Sequence, residues 1–87
     1  MNDILYVEIK EEHIYMSKYE KLKNKLINNQ SKIFYITLKY DPSTTHENYQ
    51  ELSVIWLKYM TILDKILIKR YAKKTLKLVS KIKKEND

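Results

Sequence analysis

From Leu52 to Ile66 the apolar residues Leu52, Ile55, Trp56, Tyr59, Ile62, Leu63 and Ile66 recur every three or four positions, the spacing of one face of a helix. Beyond Ile66 that face is lost. At about 100° per residue, the next apolar set, Ile68, Tyr71, Ala72, Leu78, Val79 and Ile82, centres roughly 160° around the axis from the first. A straight helix cannot lay both sets on one flat core. Either the chain turns between Leu67 and Lys74 to give a separate terminal helix, or one long helix leaves the domain and offers its second stripe to another subunit. The rotation favours the turn. Thr44 followed by Glu47 is a capping-box pattern that predicts where the helical region begins.

Upstream the periods alternate. ILYVEIK, residues 4–10, interleaves Leu5, Val7 and Ile9 with Ile4, Tyr6 and Glu8, the period-2 pattern of a strand. From Glu11 the spacing of Tyr15, Tyr19, Leu22 and Leu26 predicts an amphipathic helix to about Ile27, ended by Asn28 and Asn29. KIFYITLKY, residues 32–40, is dense in β-branched and aromatic residues and predicts a second strand, stopped by Asp41-Pro42-Ser43. The expected fold class is α+β, in the order β-α-β-α with a possible further helix. Two strands alone make a marginal sheet, so pairing of two chains into four strands, and hence a homodimer, is expected.

Composition bounds the chemistry. Eighty-seven residues make one small domain, and 44% hydrophobic residues are enough for a core. Cysteine is absent, which excludes disulfides and thiolate metal sites and fits a cytoplasmic location. Glycine is absent too, so neither a Walker A loop nor a dinucleotide fingerprint can form, and no cofactor is expected. The most apolar stretch, Leu52 to Ile68, is interrupted by Lys58, Asp64 and Lys65, and the N-terminus lacks a basic region followed by an apolar run. This predicts neither a membrane span nor a signal peptide.

Charge is the strongest functional signal. Residues 1–64 carry eight lysines against nine acids, whereas residues 65–87 carry nine bases against two. Within KILIKRYAKKTLKLVSKIKK, residues 65–84, there is no acid at all. Lys65, Lys69, Lys73, Lys77 and Lys81 are spaced by four, and Arg70, Lys74 and Lys84 fall on the same half of a helix, opposite the apolar stripe. Exposed helices ordinarily mix both signs, so a one-sign ladder points to a polyanion: each phosphate it neutralises releases counterions and adds affinity without reading sequence. One arginine among these cations supplies little bidentate reading of guanine. The expectation is a non-enzymatic nucleic-acid-binding protein, with DNA ahead of RNA, contacting phosphates through a basic helix over residues 65–84 that ends in a frayed tail, residues 85–87. It suits an accessory of a virus or mobile element. The alternative is an interaction or inhibitor protein that sets the same cations against an acidic protein surface.

Two further stretches resemble catalytic families. YVEIK, residues 6–10, resembles the acid-x-lysine strand of restriction-endonuclease-like nucleases, which implies metal-dependent cleavage through Glu8 and Lys10; that family needs an acid on an upstream strand, and Asp3 lies too close to supply it. FYITLKYDPS, residues 34–43, resembles the first conserved strand of rolling-circle replication initiators, and Tyr71 with Lys74 matches their tyrosine-x-x-lysine spacing. Those enzymes bind metal through a histidine pair, whereas His13 and His46 stand apart. No metal-ligand spacing is present. Trp56 reads as a packing anchor, while the tyrosines Tyr6, Tyr35 and Tyr40 read as core or sheet cover before base-stacking platforms.

Overall fold

The computed structural model describes residues 17–86, and these fold as three helices. Helix α1 spans Lys18–Tyr40, α2 spans Tyr49–Trp56, a short 3-10 turn covers Leu57–Tyr59, and α3 spans Ile62–Asn86. Among the described residues there is no strand, so the α+β expectation is corrected to an all-α hairpin of two long helices carrying a short third. The predicted strand over residues 4–10 lies outside the described residues. The second, over residues 32–40, is the C-terminal part of α1.

The reason for that correction is visible in what α1 buries. Leu22, Asn29, Ile33 and Thr37 are its buried residues, with Leu26 and Tyr40 half-buried between and beyond them, a helical stripe at intervals of four and three. Two of its members are polar, which breaks the apolar period in the sequence. Thr37, with no exposed surface, turns its hydroxyl back to the carbonyl of Ile33 at 2.8 Å. Asn29 crosses to α3, where its Nδ2 donates to the carbonyl of Tyr71 at 2.5 Å and to Oγ1 of Thr75 at 2.7 Å. The asparagine expected to end the helix therefore ties it to its neighbour. Packing overrides the strand propensity of Ile33, Tyr35, Ile36 and Thr37.

Helix α1 begins at Ser17, whose hydroxyl accepts from the Glu20 amide at 3.1 Å. It stops at Asp41, as the Asp-Pro-Ser turn predicts. One carboxylate oxygen of Asp41 accepts from the Ser43 amide at 3.0 Å and its hydroxyl at 2.6 Å, and the other accepts from the Trp56 indole at 3.0 Å. The Ser43 hydroxyl, then the indole, hold this carboxyl below the usual carboxylate range. The predicted cap of the next helix at Thr44 is four residues early, since the observed cap is Asn48. Thr45, not Thr44, accepts the amides of Glu47 and Asn48, closing a turn before α2 starts at Tyr49.

No break occurs between Leu67 and Lys74. Helix α3 is continuous, and the change of direction falls earlier, across Leu57–Tyr59 and the extended Met60 (φ −74°, ψ 155°). Thr61 restarts the chain: its hydroxyl accepts from the Asp64 amide at 3.1 Å. The turn is made without any positive φ among the described residues, which suits a chain without glycine. The apolar stripe from Leu52 to Ile66 is thereby cut in two, and Ile55, Tyr59, Ile62, Leu63 and Ile66 are exposed instead of facing the core.

Helices α1 and α3 run antiparallel, with Lys18 paired to Glu85 at one end (3.4 Å) and Lys39 to Asp64 at the other (3.2 Å). The core lies between them and under α2, where Ile33, Tyr49, Met60 and Ile68 are buried against Phe34, Trp56 and Tyr71. Full burial of such side chains stabilises by about 1.5–3 kcal/mol each. The second apolar stripe is what α3 offers to α1: Ile68 and Leu78 are buried, and Tyr71, Val79 and Ile82 half-buried.

Candidate nucleic-acid interface

With the inner face of α3 fixed by Asp64, Ile68, Tyr71 and Leu78, the directions of its cations follow from the helical period. Arg70, Lys74, Lys77, Lys81 and Lys84 fall within a sector of roughly 80° on one flank of the helix. Lys73 points directly outward. Lys65 and Lys69 lie on the other flank, beside α2, where they line a groove with Val54, Ile55, Lys58 and Tyr59. The structure thus keeps all eight predicted side chains off the packed face but gathers five of them, not eight, on one surface. All five are exposed, and none has an acidic partner among the described residues.

The surface is completed from α1. Lys18, Lys21, Lys25 and Lys32 fall within roughly 60° of one another on the helix. Because the hairpin is antiparallel, that flank of α1 lies beside the basic flank of α3. Lys18, Lys21 and Lys25 share a groove with Lys81, Lys84 and Glu85. Further along, the Lys32 ammonium sits 5.4 Å from the centre of the Tyr71 ring. Lys18 to Lys32 and Arg70 to Lys84 each span fourteen residues, so two cation rows of about 21 Å run side by side at 1.5 Å per residue. The described acids lie mostly elsewhere: Asp41, Glu47 and Glu51 belong to the α1–α2 loop and to α2, which packs on the opposite flank of α1. Only Glu85 lines the basic groove, paired to Lys18.

The α1 lysines were missed because a count by linear segments cancels them against the acids of residues 1–64. Their signal was present as the spacing 18, 21, 25, 32, which marks one face once the helix is recognised. Such a double row can neutralise phosphates along about six nucleotides of one DNA strand, at 3.4 Å per phosphate.

Asp64 and several aromatic groups noted in the sequence have structural partners. Asp64 accepts from the Tyr40 hydroxyl at 2.5 Å and from Lys39 at 3.2 Å, and Tyr40 in turn accepts the Thr61 amide at 3.0 Å. The tyrosine hydrogen bond, then Lys39, hold the Asp64 carboxyl below its ordinary value against the opposing effect of burial. His46 stacks on Phe34, with ring centres 4.5 Å apart. Tyr71 is half-buried, and no cluster of three or more His, Asp or Glu side chains that could hold a metal occurs among the described residues. Glu8, Lys10, His13 and Tyr6 lie outside the described residues. No described helix is long and apolar enough to cross a membrane. Comparison with protein-family models, curated proteins and solved structures finds no match for this chain.

Proposed function

We propose that the protein binds nucleic acid, DNA before RNA, along the face that α1 and α3 present on the flank opposite α2. The observation that carries this reading is the convergence of Lys18, Lys21 and Lys25 with Lys81 and Lys84 around one groove that contains a single acid. The mechanism is phosphate neutralisation with counterion release, without catalysis and with little base reading, since Arg70 alone can form a bidentate fork. The working location is the cytoplasm. Among the residues read from the sequence, Arg70, Lys74, Lys77, Lys81 and Lys84 do this work, while Lys65, Lys69 and Lys73 contribute at longer range.

Fluorescence anisotropy of labelled duplexes at a series of salt concentrations tests the reading. Five to six phosphate contacts give a log–log slope of about −4.5 to −5.4 on any sequence, and an RNA duplex competes less well. A slope near zero overturns it; together with a stoichiometric complex on an acidic protein, that result transfers the cations to a protein partner. Strand pairing no longer supports a homodimer, and self-association is a proposal resting on the exposed Ile62, Leu63 and Ile66, measured by light scattering.

A further inference from the structure

Helix α2 buries Tyr49 and Ser53 and turns its other face to solvent. That face reads Glu51, Val54, Ile55 and Lys58, the positions i, i+3, i+4 and i+7 of one helical stripe, with an acid at one end and a base at the other. Val54 is 74% exposed and Ile55 52%, so the middle of the stripe is apolar and bare. Each charged end is reinforced by neighbours of the same sign. Glu47 stands four residues ahead of Glu51 and is exposed. At the other end the chain doubles back and brings Lys65 and Lys69 of α3 to the groove that Lys58 and Tyr59 line, with no acid among the described residues around it. None of these five charged side chains is in an ion pair among the described residues. Like charges four apart on a helix destabilise it, and opposite charge brought from outside relieves them.

The pattern is its own complement. A two-fold axis placed between Val54 and Ile55 leaves Glu51 and Lys58 equally far to either side, about 5 Å along the helix at 1.5 Å per residue. Rotation about that axis lays α2 of a second copy antiparallel on the first, with Val54 against Ile55 and Glu51 opposite Lys58 twice over. Lys65 and Lys69 gather at the Lys58 end, which Glu47 of the second copy also reaches. Each end then sets the carboxylates of Glu47 and Glu51 against the ammonium groups of Lys58, Lys65 and Lys69. Parallel pairing opposes like charges at both ends. A partner of one sign satisfies one end and is repelled at the other, whereas the second copy satisfies both.

We propose that the exposed face of α2 is a homodimer interface, two-fold and antiparallel, with Val54 and Ile55 at its centre and Glu47 and Glu51 of each copy on Lys58, Lys65 and Lys69 of the other. This face differs from the Ile62, Leu63 and Ile66 patch and leaves the basic flank of both copies clear. Sedimentation velocity of the full chain, without nucleic acid, tests it over about 1 µM to 1 mM, the range of a small interface. The parent chain shows a monomer–dimer equilibrium that weakens as salt rises. E47K with E51K makes the stripe basic throughout, and K58E with K65E and K69E makes it acidic throughout. Each variant alone dimerises at least about tenfold more weakly, and an equimolar mixture of the two restores a one-to-one heterodimer. A parent chain that stays monomeric overturns the proposal, as does a mixture that fails to associate. A dimer that survives both swaps and is lost on Ile62→Ser with Leu63→Ser overturns it too, and moves the contact to that patch. The chain has no cysteine, so a second measurement needs no charge reversal. Under mild oxidation Val54→Cys or Ile55→Cys links two copies about tenfold faster than Lys77→Cys on the basic flank, and equal rates overturn the two-fold placement. Circular dichroism checks that each variant retains its helices.

Discussion

Replacing Asn29 by alanine removes a side chain that hydrogen-bonds from the middle of α1 to α3. The site is closed: Asn29 is 3% exposed, and its Nδ2 donates at 2.5 Å to the Tyr71 carbonyl and at 2.7 Å to the Thr75 hydroxyl. Two net hydrogen bonds are lost, about 1–3 kcal/mol together. The loss leaves no donor stranded, because the Thr75 hydroxyl already donates to the Tyr71 carbonyl at 2.8 Å. Alanine regains roughly half a kcal/mol through its higher helix propensity. A net destabilisation of about 0.5–2.5 kcal/mol follows, and at about 4–8 °C per kcal/mol for a domain of this size the midpoint falls by about 2–20 °C.

The assay is thermal unfolding followed at 222 nm, repeated for Thr75→Ala and for the double variant. Side chains sharing one network show coupling of about 0.5–3 kcal/mol in such a cycle. Asn29→Leu separates hydrogen bonding from packing: it loses the same hydrogen bonds but leaves a smaller cavity than Asn29→Ala, and so loses less stability. Additive single effects, or a midpoint for Asn29→Ala within 2 °C of the parent, refute the assignment of Asn29 as the tie between the long helices.

Three other outcomes follow from the same fold. The carboxyls of Asp64 and Asp41 titrate below their unfolded-state values, so the stability they contribute is complete above about pH 4 and is lost as pH falls through their folded-state values; urea midpoints between pH 6 and 2 trace the loss, and Tyr40→Phe makes the acid limb shallower. Thr61→Ala removes the hydroxyl that accepts the Asp64 amide at the start of α3, costs about 1 kcal/mol, and leaves the salt slope of DNA binding unchanged. Lys74→Gln, Lys77→Gln and Lys81→Gln together reduce that slope by about 2.7, whereas Lys65→Gln with Lys69→Gln shifts it by less than about 1, a difference read by anisotropy on one duplex.

What the sequence conveyed of the fold was local chemistry. The stop at Asp41-Pro42-Ser43 and the apolar stripe of α3 from Ile68 to Ile82 are both where the residues place them. The misreadings share a physical cause: a decision made between helices was sought within one. Asn28 and Asn29 carry the composition of a helix end, yet Asn29 spends its side chain on α3. Residues 32–40 carry the composition of a strand, yet Ile33 and Thr37 continue the interval of four that begins at Asn29. The turn at Met60 left a legible trace that the apolar stripe concealed, since Thr61 and Asp64 repeat the threonine-x-x-acid spacing of a helix start.

The basic face was half legible for a related reason. A net charge belongs to a segment, but a field belongs to a surface, and an antiparallel hairpin lays residues 18–32 beside residues 70–84. Counted in order, the α1 lysines are offset by acids at Asp3, Glu8, Glu11, Glu12, Glu20, Asp41, Glu47, Glu51 and Asp64. In the fold, Asp41, Glu47 and Glu51 stand on the α1–α2 loop and α2, away from the cations. The same folding moves Lys65 and Lys69 out of the ladder and onto the groove. Segregation of this kind is costly in self-repulsion, and among the described residues only the Lys18–Glu85 pair relieves it on the basic face. A polyanion bound across both helices relieves the rest, so binding should raise the thermal midpoint of the whole hairpin. By mass action, ligand at a hundred times its dissociation constant adds about 2.7 kcal/mol. A duplex that binds with the expected salt slope yet leaves the midpoint unmoved binds the unfolded chain as well as the folded one, and a binding face assembled by folding from the two helices is then wrong.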